Sequence, residues 1–214
     1  MKKVWLPVLF LGLASVIAVV PAFADDVLYT NGPINGTINA WSFWNGANYA
    51  AADSFVLGSS STVTGFNVGI WTVAGAVPST VTWEILTGGP DFLDGTVVAS
   101  GDATWSNEFW AYNSSYGYDI FASSVSGLDV ALGAGTYWLE LLNGTSSPNQ
   151  SLYWDENDGP STAYEKGSSV PIGSHAFQIL GSEDTSVTPE PSSILLLGSG
   201  LAGLAGLIKR KLKA

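Results

Sequence analysis

The densest group of oxygen ligands in this sequence lies in the segment YWDENDGP. Calcium prefers carboxylate and amide oxygens presented on a turn, and Asp155, Asn157 and Asp158 would supply them. The segment begins like an EF-hand loop, but Gly159 occupies the position of a third ligand and Lys166 that of the closing glutamate. Two interpretations therefore stay open: a calcium site of another kind, and a solvated turn between strands.

Catalytic groups are harder to assemble from this sequence. His175 is the only histidine, so a catalytic triad or a histidine-rich metal centre would depend on one ring. Its place two residues before Phe177, on an apparent strand, favours a structural role. Carboxylates such as Glu84, Glu108 and Glu140 could hydrolyse a glycosidic bond, but any acidic domain contains as many. The sequence predicts a protein that is not an enzyme and has no cofactor besides the calcium considered above.

Aromatic residues are concentrated in two segments, WSFWNGANY from Trp41 and WSNEFWAYNSSYGY from Trp105. Both segments interleave flat rings with Asn, Ser and Glu, a combination that suits sugar binding by stacking and hydrogen bonding. The candidate sugar-binding residues are Trp44, Trp105, Trp110 and Tyr112. The alternative interpretation places these rings in the core, where large aromatic side chains are usually found.

Charge is segregated along the chain. The formal net charge is −11, and six of the seven basic residues lie at the two ends. Residues 25–188 contain 17 acidic side chains and a single lysine, which gives −16. Such a body is repelled by phosphate groups, so the sequence argues against nucleic acid as a partner. Because the chain has no cysteine, packing and backbone hydrogen bonds must hold the fold.

Short runs with a period of two predict the elements that position these residues. In residues 80–86, Val81, Trp83 and Ile85 fall on one face and polar residues on the other. Nine or ten such runs lie near Val27, Trp41 and Phe55 and at residues 62–72, 80–86, 96–100, 118–122, 136–142, 151–155 and 176–180. Their even spacing predicts an all-β domain over residues 25–181, an antiparallel, jelly-roll-like β-sandwich. Residues 182–188 are predicted to be a linker.

The first 24 residues have the pattern of a secretory signal peptide. Lys2 and Lys3 precede the apolar run WLPVLFLGLASVIAVV, and Ala22 and Ala24 fit the small-x-small pattern before a cut. Signal peptidase is therefore expected to cleave before Asp25 and release the acidic domain outside the cytoplasm. The alternative is an uncleaved anchor, because the apolar run approaches spanning length.

Residues 189–214 combine three features in a fixed order. Pro189 and Pro191 lock φ and lack N–H donors, which predicts an extended segment around Glu190. The uncharged residues 194–208 predict a single transmembrane helix about 22 Å long. A basic stop follows at Lys209, Arg210, Lys211 and Lys213, which the positive-inside rule assigns to the cytoplasm.

This order of Pro189-Glu190-Pro191, a short apolar helix and a basic end resembles a PEP-CTERM sorting segment. The resemblance implies recognition by exosortase, an integral membrane transpeptidase-like enzyme of Gram-negative bacteria, with processing near the Pro-Glu-Pro. Residues 51–57, 132–139 and 176–181 are also similar to stretches of PEP-CTERM passenger domains. That likeness implies a β-sandwich passenger and carries no common activity.

The sequence as a whole predicts a non-enzymatic exported protein of the cell surface or extracellular matrix, associated with biofilm or exopolysaccharide. Its precursor is expected in the inner membrane, and the mature protein at the surface or outside the cell. The alternative is a carbohydrate-binding module that recognises exopolysaccharide through the aromatic residues named above. Exposure of those rings distinguishes the two predictions.

Overall fold

A computed structural model describes residues 25–184. The predicted signal peptide, transmembrane helix and basic stop lie outside these residues. Within them the chain forms β-strands and two short 3-10 helices, and neither helix could cross a lipid bilayer. The strands are β1 (Asp26–Thr30), β2 (Ala40–Ser42), β3 (Ala50–Leu57), β4 (Ser61–Val73), β5 (Val77–Thr87), β6 (Thr96–Thr104), β7 (Ser106–Asn113), β8 (Tyr118–Leu132), β9 (Gly135–Ser147), β10 (Leu152–Asn157), β11 (Ala163–Glu165), β12 (Ser174–His175) and β13 (Phe177–Glu183).

Alternation of apolar and polar residues accounts for the strands. In β5, Val81, Trp83 and Ile85 are buried, while Thr82 and Glu84 between them are half-buried. Because successive side chains on a strand point to opposite faces, the buried set faces the core and the other set faces outward. The predicted all-β, antiparallel fold class is confirmed.

The strands form two antiparallel sheets. The eight-stranded sheet follows the order β1-β13-β4-β10-β12, with β8 on the other side of β4, β7 beside β8 and β2 beside β10. The five-stranded sheet has the order β11-β3-β9-β5-β6. Residues from both sheets belong to one hydrophobic cluster, so the sheets pack face to face around a shared core.

The pairing of eight of these strands has a simple plan. β1 pairs with β13, β3 with β9, β4 with β8, and β5 with β6. Among these eight strands, the first in the chain pairs with the last, the second with the second last, and so on inward, as in one long antiparallel ribbon. The first and third pairs lie in the eight-stranded sheet, the second and fourth in the five-stranded sheet. This is the strand order of a jelly roll.

Three strands and one boundary differ from the sequence-based expectation. The alternation pattern does not predict β7, β11 or β12. β7 lies in the second aromatic segment, outside the predicted runs, and it pairs with β8 along its length. β13 continues to Glu183, and the backbone N–H of Asp184 donates to the carbonyl oxygen of Ser60 at 2.8 Å. The folded domain therefore extends beyond the predicted boundary at residue 181.

Candidate functional site

The loop between β1 and β2, residues 31–39, is fixed to the eight-stranded sheet by one carboxylate. The backbone N–H groups of Asn35 and Gly36 donate to the oxygens of Asp155 at 2.6 and 2.9 Å. The indole Nε1 of Trp71 donates to the same carboxylate at 2.6 Å. Burial raises the pKa of Asp155, although these three donors oppose the shift. The carboxylate thus holds the loop against β4 and β10.

Two of the three predicted calcium ligands, Asp155 and Asn157, are hydrogen-bonded within the protein. Both oxygens of Asp155 accept the donors described above. Asn157 donates through Nδ2 to the carbonyl oxygen of Asn31 at 2.8 Å and accepts at Oδ1 from the N–H of Gly159 at 2.9 Å, and Asp158 is exposed. Over residues 25–184, no group of three His, Asp or Glu side chains is placed to hold a metal ion. Calcium binding at Asp155, Asn157 and Asp158 stays a prediction.

Three exposed rings form an aromatic surface beside this loop. Trp110, Tyr112 and Tyr116 are 47%, 54% and 61% exposed. They lie on β7 and the turn after it, around a shallow groove of about 380 Å³ whose other wall is residues 35–37. Asn113 ties the two walls together, because its Nδ2 donates to a backbone carbonyl oxygen of that loop at 2.7 Å. The structure therefore brings the predicted Trp110 and Tyr112 together with Tyr116, which sequence reasoning did not single out.

A second aromatic groove, of about 210 Å³, adjoins the first. It is lined by Trp71, Tyr118 and Tyr153, with ring centroids 6.0 Å apart for Trp71 and Tyr118 and 5.6 Å apart for Tyr118 and Tyr153. Tyr116 lines both grooves and lies 6.2 Å from Trp71. The three new rings come from β4, β8 and β10, so only the strand pairing brings them together. The one sequence signal for this groove is the alternation along β4, which predicts that Trp71 points away from the core-facing residues of that strand.

Two of the four predicted sugar-binding rings lie elsewhere. Trp105 is 5% exposed and packs edge-on against Phe43 and Phe66, with ring centroids 6.5 and 5.9 Å away. Its assignment to a sugar-binding surface is therefore corrected: the chain crosses between the two sheets at this residue, which places the ring in the core. Trp44 is half-buried and donates through Nε1 to Asn149 at 3.2 Å, in the connection between β9 and β10.

His175 lies in the core. Its Nδ1 is 3.3 Å from Oδ2 of Asp53, and the same oxygen accepts the backbone N–H of His175 at 2.7 Å. The imidazole stacks on the indole of Trp154, with 4.5 Å between ring centroids. All three side chains are fully buried, so this pair is shielded from any substrate in solvent.

Glu84 and Glu140 lie directly opposite each other on β5 and β9. Glu140 is 2% exposed, and its Oε2 accepts the backbone N–H of Asp91 at 2.9 Å. Burial, together with the charges of Glu84 and Asp91, raises the pKa of Glu140 to about 7, while the Asp91 N–H and Lys166 oppose the shift. The loop that contains Asp91 thus covers the buried carboxyl.

The remaining predicted site residues lie at or beyond the ends of the described chain. Asp25, the expected first residue of the mature protein, is exposed. The residues outside the described range are the signal-cleavage pair Ala22 and Ala24, the sorting residues Pro189, Glu190 and Pro191, and the basic stop Lys209, Arg210, Lys211 and Lys213.

The tail matches a known protein family. Residues 187–211 fit the PEP-CTERM protein-sorting motif. The resemblance seen in the sequence is therefore confirmed, and the chain carries a PEP-CTERM sorting motif. The motif implies processing by exosortase and is consistent with an exported protein that is sorted through the membrane. Curated proteins include no significant match to this chain.

Proposed function

We propose that this chain is a non-enzymatic exported protein of the cell surface or extracellular matrix, associated with biofilm or exopolysaccharide. The observation that supports it is the position of the sorting motif, which begins at residue 187 directly after a β-sandwich described to residue 184. A signal peptide, a folded domain and this motif form the order expected of an exosortase substrate. The tail would retain the precursor in the inner membrane until it is processed.

The chemistry of the domain supports binding rather than catalysis. His175 and Asp53 are enclosed in the core, and Glu140 is covered by the loop at Asp91. A general acid or base must come within hydrogen-bonding distance of its substrate, and these buried groups do not meet that requirement.

The sorting role is tested by replacing Pro189, Glu190 and Pro191 with alanine in the full-length chain. We expect the variant to accumulate as a full-length precursor in the membrane fraction, because exosortase would no longer recognise it. A matched control replaces Thr185 and Ser186, just before the motif, and should be released like the wild type. Release of the triple variant into the medium at the wild-type level would refute the proposal.

The intact mass of the released wild-type protein adds a second measurement. It reports the signal-peptidase cut, expected between Ala24 and Asp25, and the C-terminal cut, expected near Pro189 to Pro191. A mass that still includes the C-terminal basic stop would contradict processing at the motif.

A second candidate function is recognition of exopolysaccharide by the aromatic surface, and one observation favours it. Trp110, Tyr112 and Tyr116 remain largely exposed around a groove that also presents asparagine and serine. Stacking of apolar sugar faces on such rings, with a few hydrogen bonds to hydroxyls, is a common mode of carbohydrate recognition.

The test is a pull-down of mature protein with exopolysaccharide of the producing organism. We expect a variant with Trp110→Ala and Tyr112→Ala to lose retention. Phe109→Ala is the matched control, because Phe109 is also exposed on β7 but does not line the groove. Equal retention of the double variant and the control would remove this candidate.

A further inference from the structure

A larger and more polar cleft lies on the outer face of the eight-stranded sheet. It has a volume of about 640 Å³, and strands β4, β7, β8 and β13 form it. Pro33 and Ile34 form one wall, and the next residues of the same loop, 35–37, line the aromatic groove. The loop therefore separates the cleft from the aromatic surface.

The strand register places one polar residue from each of five strands in a row along this cleft. The row consists of Ser106, Ser124, Asn67, Gln178 and Thr30, each paired with the next across neighbouring strands. These side chains face outward, since Phe66 and Val68 flank Asn67 and are buried in the core. Five strands at about 4.8 Å spacing make the row about 19 Å long.

The centre of the row is a pair of amides with unused hydrogen-bonding groups. Asn67 donates through Nδ2 to Oε1 of Gln178 at 3.1 Å. Among residues 25–184, Asn67 Oδ1 and Gln178 Nε2 have no hydrogen-bond partner. One acceptor and one donor are thus held side by side. Each hydroxyl of a sugar both donates and accepts, so two adjacent hydroxyls match this pair.

Glu108 adds an exposed carboxylate to the cleft, and small residues form the floor beside it. Glu108 lies opposite Ala122, which in turn lies opposite Gly69. Ala122 contributes only a methyl group to the floor of the cleft, and Gly69 beyond it lies beneath Ile34 of the wall, because a Cβ on Gly69 would fall 3.0 Å from Cγ1 of Ile34. The carboxylate has no hydrogen-bond partner among the described residues, so its two oxygens can accept hydrogen bonds from sugar hydroxyl groups.

The walls of the cleft are fixed by hydrogen bonds within the protein. Asn107, beside Glu108, donates to the carbonyl oxygen of Pro78 at 2.8 Å and accepts the hydroxyl of Ser123 at 2.7 Å. Ile34 precedes the two N–H groups that Asp155 holds. A site already ordered in the free protein loses less conformational entropy on binding.

We propose that this cleft binds a segment of a neutral polysaccharide, with the Asn67–Gln178 amide pair and Glu108 as its hydrogen-bonding groups. The proposal goes beyond the aromatic-surface candidate, because it names a different site and a class of ligand and uses none of the aromatic residues of the first groove. It also does not depend on how the tail is processed.

The negative charge of the domain favours a neutral polysaccharide over an acidic one. Lys166 is the only basic residue within residues 25–184, and its Nζ donates to Asn48 at 3.1 Å, away from the cleft. A uronate or phosphate polymer would meet the Glu108 carboxylate and a strongly acidic surface with no cation in the lining, so repulsion opposes its binding. An extended peptide would not gain backbone pairing, because the cleft is on a sheet face whose backbone groups are already paired.

Affinity electrophoresis of the mature exported protein tests the proposal. The gels contain either the neutral or the acidic fraction of exopolysaccharide from the producing organism, separated by anion exchange. We expect the neutral fraction to retard the wild type and the acidic fraction to leave its mobility unchanged. Asn67→Ala with Gln178→Ala should weaken binding about tenfold or more, the loss expected for one or two hydrogen bonds.

The matched control is Thr80→Ala with Thr145→Ala, which removes a hydrogen-bonded pair between neighbouring strands of the five-stranded sheet. It should bind like the wild type, and thermal unfolding of every variant confirms that the fold is intact. The proposal is overturned if the neutral fraction does not retard the wild type, or if the amide variant binds normally. If only Trp110→Ala abolishes binding, the aromatic surface is the site and the cleft is not.

Discussion

The indole ring of Trp110 lies directly over the backbone of Gly36. A Cβ atom on Gly36 would fall 2.7 Å from Cζ3 of that ring and 2.9 Å from Cδ1 of Ile120, and Gly36 has a φ of +69°. Both the space and the backbone conformation therefore require glycine. This contact joins the loop held by Asp155 to the strand that carries the aromatic surface.

Gly36→Ala should lower the free energy of unfolding by about 2 kcal/mol or more, because strain at positive φ adds to the displacement of Trp110. Gly75→Ala is the matched control, since Gly75 has a φ of +84° and a Cβ there would meet no atom within 4 Å. Chemical denaturation measures both losses. Equal losses in the two variants would show that the Trp110 contact contributes nothing.

Asp155→Ala should destabilise the protein by about 3 kcal/mol, because it leaves the N–H groups of Asn35, Gly36 and Trp71 without their acceptor. Amide hydrogen exchange at Asn35 and Gly36 should also accelerate. Asp158→Ala removes an exposed carboxylate from the same segment and should have little effect. If both variants unfold at the same denaturant concentration, the loop is held by other contacts.

Calcium should not change the melting temperature of the wild type, because the oxygens of Asp155 already accept protein N–H groups and Asp158 points to solvent. Thermal unfolding in millimolar calcium and in excess chelator measures this directly. A calcium-dependent rise that disappears in Asp158→Asn would instead establish the calcium site predicted from the sequence.

Much of the fold was predictable because the alternation in strands such as β5 is strong. β7 was not, since its sequence SNEFWAYN has no alternating buried set and its residues are exposed or half-buried. Its existence depends on the hairpin with β8, in which Asn113 accepts the N–H groups of Ser115 and Tyr116 at 3.0 and 3.2 Å. Such a local turn specifies an edge strand without any hydrophobic pattern.

The aromatic site was predictable only in part. Trp105 and Trp110 belong to one aromatic segment, yet the first is a core residue and the second is exposed. The difference comes from a crossing between sheets at Trp105 and from an irregularity in the pairing of β7 and β8 between Phe109 and Ala111, which leaves Trp110 as the extra residue. Neither feature is visible in composition. The Asn67–Gln178 pair likewise depends on the register of two distant strands.

Replacement of Lys209, Arg210, Lys211 and Lys213 by glutamine tests the predicted cytoplasmic end of the tail. Positive charge next to a spanning helix opposes its translocation, so the variant precursor should be retained less firmly in the inner membrane. Fractionation of cells that lack exosortase activity measures retention without processing. A Lys166→Gln variant, which changes the one basic residue of residues 25–188, is the control. A tail variant that fractionates like the wild type would contradict the positive-inside assignment.

Glu140→Gln should change how stability depends on pH. The pKa of Glu140 is raised from 4.5 to about 7, chiefly by burial, so between these values the folded state holds a proton that the unfolded state has lost. This stabilising contribution is complete below pH 4.5 and is lost as the pH rises to about 7. The loss amounts to about 3 kcal/mol at most.

Glutamine can still accept the N–H of Asp91 but carries no charge, so the variant should lack this decline and become more stable than the wild type above neutral pH. Chemical denaturation at a series of pH values measures the difference between the two proteins. The control is Glu183→Gln, at an exposed site, whose free energy of unfolding should depend on pH in the same way as that of the wild type. The stability of Glu84→Gln should decline with pH less than that of the wild type and more than that of Glu140→Gln. This variant removes one charge that raises the pKa of Glu140 and leaves the buried carboxyl in place. If the free energies of unfolding of Glu140→Gln and the wild type change with pH in the same way, this carboxyl titrates near its ordinary pKa in the folded protein.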